Sequence, residues 1–118
     1  MNTKTTGNAG EDRAVDYLLK NDFAIIERNW RTRTGEIDII AYKNQTIVFI
    51  EVKTLPNGTF DMIQRELNYQ KLQRIIKTSK RFLLNHRQYS NSYVRYDVII
   101  IDMPGYEPVY HIENAFTE

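Results

Sequence analysis

Residues 36–42 (Glu-Ile-Asp-Ile-Ile-Ala-Tyr) and 46–53 (Thr-Ile-Val-Phe-Ile-Glu-Val-Lys) are strongly β-prone, and only the polar Lys43-Asn44-Gln45 lies between them. Two such runs joined by so short a link read as a β-hairpin, which restricts the fold more than any other feature of the chain. Side chains alternate between faces along a strand, so Glu51 and Lys53 share one face while Val48, Ile50 and Val52 fill the other. Asp38 is expected mid-strand, with Ile37 and Ile39 on the opposite face. Pairing across the turn then brings Asp38 opposite the Glu51 end.

Charged groups in a sheet are costly to bury unless they are paired or bound to a metal. A lone Glu-x-Lys in a strand reads ordinarily as an ion pair on a solvated face. Here Asp38, Gly35 and the apolar runs on both sides favour a site. Convergent carboxylate oxygens beside a lysine suit a hard cation, with Mg²⁺ (or Mn²⁺) as the natural candidate. The chain has no cysteine and only His86 and His111, which excludes disulfides and thiolate zinc and disfavours a histidine-rich centre, so a metal must rest on oxygen ligands. Glu36 shares the Asp38 face and is an alternative ligand, although the mouth of a strand suits a surface role better.

With 118 residues, the chain is expected to form one domain, 1–118. Met1–Gly10 is polar and no apolar run could span a bilayer, so a cytoplasmic location without a membrane partner is expected. No small-molecule organic cofactor is expected. The formal net charge of +1 hides an asymmetry. Between Leu67 and Tyr96 there is no acidic residue, while Lys71, Arg74, Lys77, Lys80 and Arg81 crowd the middle of the segment. Arg28, Arg31 and Arg33 form a second cluster around Trp30, so positive charge lies on both sides of the carboxylates. A basic helix is ordinarily a solvated face, but beside an acidic metal site it suggests a polyanionic partner such as DNA.

Ala14, Val15, Leu18 and Leu19 recur at helical spacing and predict a first helix over about Asn8–Asn21, capped by Asn8. Glu11 falls on the inward stripe of that helix, as half of a capping box with Asn8 or as a member of the acidic site. Phe23–Asn29 predicts a first strand, the hairpin supplies two more, and Pro56-Asn57-Gly58 breaks the third. A loop to about Arg65 follows. Leu72, Ile75, Ile76, Ser79, Phe82 and Leu83 then mark one face of a long second helix. Val94–Asp102 reads as a buried strand in which Tyr96 and Asp97 are anchors, and Val109–Ile112 as a short last strand. His86 reads as a partner of the helix C-terminus, and Trp30 as a core or rim aromatic able to stack on a base.

In order along the chain stand Gly10-Glu11, Arg28-Asn29, Arg31, Gly35-Glu36-Ile37-Asp38, Phe49-Ile50-Glu51-Val52-Lys53-Thr54, Lys71, Tyr96-Asp97-Val98 and Asn114-Ala115-Phe116. This pattern resembles YraN-type proteins, a family grouped with restriction-endonuclease-like nucleases and similar to archaeal Holliday-junction resolvases. The resemblance covers nearly the whole chain. It implies an α/β fold with an α-β-β-β-α-β core, a mixed central sheet flanked by helices. It also implies a catalytic set of Glu11, Asp38, Glu51 and Lys53, with the metal held by Asp38, Glu51 and the Val52 backbone carbonyl. The family usually has arginine after Glu-Val-Lys-Thr and Phe-Gly a little later, where this chain has Leu55 and Phe60-Asp61.

The resulting expectation is a metal-dependent endonuclease that hydrolyses phosphodiester bonds in DNA, with branched or structured DNA implied by the resolvase resemblance alone. Lys53 would position or help deprotonate the attacking water, and Arg31, Arg33, Lys71 and Arg74 would contact backbone phosphates. A homodimer would suit cutting at a four-way junction. Two other classes fit the same residues. One is a nucleic-acid-binding module that keeps the fold and does not cleave. The other is a structural protein in which Asp38, Glu51 and Lys53 form a buried ion-pair network.

Overall fold

The computed structural model describes residues 3–118, with side chains from residue 9 onward. Helix α1 (Thr3–Lys20) precedes strands β1 (Ala24–Thr32), β2 (Gly35–Lys43) and β3 (Thr46–Thr54). Helices α2 (Phe60–Glu66) and α3 (Tyr69–Asn85) follow, then β4 (Tyr93–Ile101) and β5 (Val109–Phe116). The five strands form one sheet in the order β1-β2-β3-β4-β5. All neighbours are antiparallel except β3 and β4, which run parallel. The fold is therefore α/β with a mixed sheet, as the sequence pattern implies. Parallel neighbours cannot be joined by a tight turn, and α2 and α3 make the crossover between them.

The β2–β3 hairpin turns at Asn44 and Gln45, whose φ values of 52° and 61° match the left-handed turn that follows strand twist. The helices sandwich the sheet. Ala14 and Leu18 of α1 pack on Ile39, Ala41, Val48, Ile50, Ile99 and Ile101. Ile75, Ile76 and Phe82 of α3 pack on Ile40, Ile47, Phe49 and Tyr96 of the other face, where Ile63 of α2 joins Leu55, Val98 and Ile100. The period-2 alternation expected of half-buried strands is clearest in β3, where Val48 and Ile50 face α1 and Ile47 and Phe49 face α3.

Four expectations are corrected. The first helix extends upstream to Thr3, so Asn8 is not its first residue, and the Asn8 side chain lies outside the described residues. The segment expected as a loop to about Arg65 contains α2. The last strand continues to Phe116, well past Ile112. Finally, Ile37 and Ile39 do not share a face: Ile39 packs under α1, while Ile37 packs with Trp30 and Phe82 against α3. The register irregularity near Ile25/Glu27 and the left-handed Asn29, at φ 52°, account for this roll. Bulges and left-handed residues increase local twist and re-aim side chains. In the running register Arg28↔Ile39 and Trp30↔Ile37, Asn29 stands opposite Asp38, so the ribbon turns over at Asp38.

The rolled end of the β1–β2 ribbon lies against α3. Thr34 Oγ1 is 2.9 Å from Thr78 Oγ1, and a Cβ on Gly35 would come within 3.2 Å of the same hydroxyl. Trp30 meets Phe82 edge-on at 5.1 Å between ring centroids, so its core role holds. His86 places Nδ1 2.9 Å from the Phe82 carbonyl at the end of α3, as expected of a C-terminal partner.

Candidate active site

Pairing between β2 and β3 stops at Ile39↔Ile50, although β3 remains paired with β4 as far as Thr54↔Ile101. Beyond Ile39 the two strands separate, and the next position on each carries an acid, Asp38 and Glu51. The loss of the ladder exposes backbone donors that need partners. Asp38 meets one of them: its Oδ2 accepts the Val52 N–H at 2.8 Å. A side chain here takes the place of the missing strand.

The opening is a cleft of about 490 Å³ lined by Glu11, Asp38, Glu51, Val52, Lys53, Lys71 and Arg74, with Gly35, Glu36, Thr54 and Ile75 completing the wall. Glu11 reaches it because α1 lies unusually close to the sheet at Gly10, where a Cβ would collide with the Thr54 hydroxyl. Glu11 is 8 % exposed, and its Oε1 is buried without a hydrogen-bond donor, the nearest cation being Arg28 Nη2 at 3.6 Å. Burial raises the Glu11 pKa, and Asn29 and Arg28 offset this only in part.

Asp38 is the most perturbed group in the cleft. Burial, then the charge of Glu51 and a proton-sharing contact with it, push the Asp38 carboxyl up to about 8, against the opposing pull of the Val52 N–H. Glu51 is 7 % exposed and gathers the cations: Lys71 Nζ lies 3.0 Å from its Oε2 and Lys53 Nζ 3.9 Å. Burial alone would lower the Lys71 pKa, but the charge of Glu51 and its hydrogen bond prevail and raise it. Lys53 also lies 3.5 Å from Glu66 of α2.

The structure thus gathers Glu11, Asp38, Glu51, Val52, Lys53, Lys71 and Arg74 in one place. It does not bring Arg31 or Arg33 into the cleft: Arg31 Nε pairs with Glu36 Oε2 at 2.9 Å and Arg33 is exposed at the hairpin tip. Three contributors were not legible from spacing. Glu66 sits on the unforeseen α2, Asn29 acts through its left-handed backbone and through its side chain on Glu11, and the pairing of Arg28 with Glu11 and with Asp12 Oδ1 at 2.7 Å was not foreseen. Leu55, in place of the arginine usual in the resembling family, is 8 % exposed in the apolar cluster beneath α2, and Gly58 packs on its side chain.

Among the described residues no three carboxylate or histidine side chains converge as a ready-made metal cage. Two carboxylates with an adjacent carbonyl still fit Mg²⁺, which usually takes one or two carboxylates and fills its octahedron with water and phosphate oxygens. The fit is supported by charge: burial, and then the neighbouring Glu51, raise the Asp38 pKa to about 8, and a divalent cation would offset both.

A second acidic centre lies on the α1 face of β4. Asp97 has no exposed surface. It accepts hydrogen bonds from Arg95 Nε and Nη2, each at 2.9 Å, and from the Asn114 N–H at 2.9 Å, and lies 2.7 Å from His111 Nε2. The Tyr17 hydroxyl closes the group at 3.1 Å from His111 Nδ1. Burial would raise the Asp97 pKa, but the His111, Arg95 and Asn114 bonds outweigh it and hold it below the usual carboxylate range.

No helix among the described residues is long and apolar enough to cross a membrane. Residues 10–101 match the profile of a family described as "Uncharacterised protein family UPF0102". The chain is 44% identical to a UPF0102 protein of Treponema denticola, the alignment covering 93% of each chain. A UPF0102 protein of Geobacter metallireducens is 41% identical over 98% of this chain and 95% of its own, and one of Alkaliphilus oremlandii is 42% identical over 96% and 98%.

Proposed function

The chain belongs to the uncharacterised protein family UPF0102, the YraN-type family its motifs resemble, and from that premise we propose that it is a metal-dependent endonuclease acting on DNA. The observation that carries this reading is the convergence of Asp38 and Glu51 where the β2–β3 ladder opens, with Lys53 on the same strand face. A structural acid would be given donors, whereas Asp38 is given a second acid.

Asp38, Glu51 and the Val52 carbonyl would hold Mg²⁺ or Mn²⁺. Bound there, the ion supplies charge neutralisation at the phosphate and lowers the pKa of a coordinated water. The remaining work falls to side chains. Lys53 carries positive charge at the mouth of the acid pair, where it orients the attacking water and offsets charge building on a phosphate oxygen. Glu11 closes the inner wall, and its undonated Oε1 is an acceptor for a water on the reacting side. Arg74, at the rim, takes a backbone phosphate. The branched-DNA preference implied by the resolvase resemblance remains part of this proposal.

A panel of linear, flapped and four-way DNA tests it. Cleavage is expected with Mg²⁺ or Mn²⁺, to vanish in Asp38→Asn and to fall by about 10²–10⁴-fold in Lys53→Ala if that lysine acts in proton transfer. Equal cleavage by wild type and Asp38→Asn would overturn the proposal. The pairs Lys71–Glu51 and Lys53–Glu66 favour a second reading, a non-cleaving nucleic-acid-binding module whose acids are balanced internally. That reading predicts tight, salt-sensitive DNA binding and no heat on Mn²⁺ titration.

A further inference from the structure

Eight of the 16 lysines and arginines of this protein are neutralised where they stand. Arg13, Lys20, Arg28, Arg31, Lys53, Lys71, Lys80 and Arg95 each face an aspartate or glutamate, and Lys43 is held by the Asn21 carbonyl. Among the described residues, Arg74, Lys77 and Arg81 of α3, Arg33 at the hairpin tip, Arg65 of α2 and Arg87 are exposed without an acidic partner, and of these Arg74, Lys77 and Arg81 share one helix. The helical spacing of Arg74, Lys77 and Arg81 puts them on one stripe. Like charges three and four residues apart destabilise a helix by about 0.2–0.5 kcal/mol per pair, so the stripe is unfavourable unless something anionic covers it. No acidic residue occurs between Leu67 and Tyr96 to relieve it.

The stripe also has a fixed place. Arg74 lines the acidic cleft at one end, and on the buried side of the same helix Thr78 bonds to Thr34, so the turn that carries Arg33 lies against α3. From Arg74 to Arg81 the helix rises about 10 Å, at 1.5 Å per residue. A nucleic-acid strand rises about 3.4 Å per nucleotide, so the stripe spans about three nucleotides. We infer that the outer face of α3, through Arg74, Lys77 and Arg81 with Arg33, is a phosphate track along which one nucleic-acid strand leaves the cleft. The inference rests on the nucleic-acid part of the proposed function and does not require cleavage. It moves the contact surface from the Arg31 side to the middle of α3. Lys71 and Arg31, already held by Glu51 and Glu36, are not part of it.

The test is equilibrium binding of the full-length protein in EDTA to fluorescent 20-nucleotide single-stranded DNA and to the matching duplex, across a salt series. Lys77→Gln and Arg81→Gln are each expected to reduce the log–log salt slope by about 0.9 for duplex or about 0.7 for a single strand, and the double variant by about twice that. Lys20→Gln, on α1, is expected to leave the slope unchanged, and thermal unfolding checks that all variants fold. Whichever DNA form shows the reduced slopes is the one the track carries. Unchanged slopes in Lys77→Gln and Arg81→Gln, an equal loss in Lys20→Gln, or no binding by the wild type would each overturn the inference. DNA bound with the expected slopes but not cut in Mn²⁺ would sink the hydrolase reading and leave the track in place.

Discussion

Asp38 and Asp97 flank the same central strand, the first facing Glu51 from β2 and the second paired with Ile50 from β4, yet the protein treats them in opposite ways. Asp97 is surrounded by donors: two from Arg95, a main-chain N–H and the ring of His111. Asp38 receives one main-chain N–H and faces the Glu51 carboxylate, with a weaker influence from the charge of Glu11. A buried acid serving the fold is satisfied from all sides, because a bare charge in a poor solvent costs several kcal/mol. An acid kept short of donors at the wall of a cleft is what the proposed metal site calls for. Burial alone does not separate the two. The chemistry of the partners does.

The largest expected effect is on the satisfied acid. Asp97→Asn takes the buried carboxylate from Arg95 and His111, leaving Arg95 only the exposed Glu113 at 3.6 Å, and should cost about 3–5 kcal/mol in urea unfolding, with Mn²⁺ affinity unchanged. Acid titration sharpens the same contrast. The Asp97 pKa is depressed in the fold, so its contribution is complete above the unfolded value of about 3.9 and is lost as pH falls through the folded value. The stability gap between wild type and Asp97→Asn should therefore be full at pH 6 and close below about pH 3.9; a constant gap would mean that the carboxylate charge is not what Asp97 contributes. Gly10→Ala comes next. Its methyl must displace Thr54 or lift α1, at a cost of about 1–3 kcal/mol, and should weaken Mn²⁺ binding by withdrawing Glu11. The smallest effect on stability is expected for Asp38→Asn, which removes the cost of burying an ionisable acid beside Glu51: its unfolding midpoint should equal or exceed that of the wild type while the calorimetric Mn²⁺ signal disappears. A drop in stability matching Asp97→Asn would erase the comparison and favour a structural network at Asp38.

Much of this was readable from residue order. The hairpin followed from two β-prone runs around a short polar link, and the convergence of Asp38 with Glu51 followed from antiparallel pairing. Glu11 was placed on the inward stripe because Ala14 and Leu18 mark it. The roll that separates Ile37 from Ile39 was hidden, because it depends on a left-handed backbone at Asn29 that strict alternation does not foresee. Glu66 was hidden because α2 has seven residues and one buried position, too short for a periodic signal. The pairing of Lys71 with Glu51 depends on where the crossover returns α3, a long-range result that no local pattern encodes. Asp97 was recognised as an anchor, but its partners come from β5 and α1 and could not be named.

The tight turn at Asn44–Gln45 bears on the order of assembly. Hairpins close in about 1–10 μs, so Asp38 and Glu51 are joined by a nearby contact, whereas Lys71 arrives only when the crossover docks. The nascent protein must bring the two acids together with only Lys53, 3.9 Å from Glu51, to offset them, before the nearer Lys71 is at hand. This predicts that neutralising Asp38 speeds folding more than it slows unfolding, a signature that a chevron plot would display.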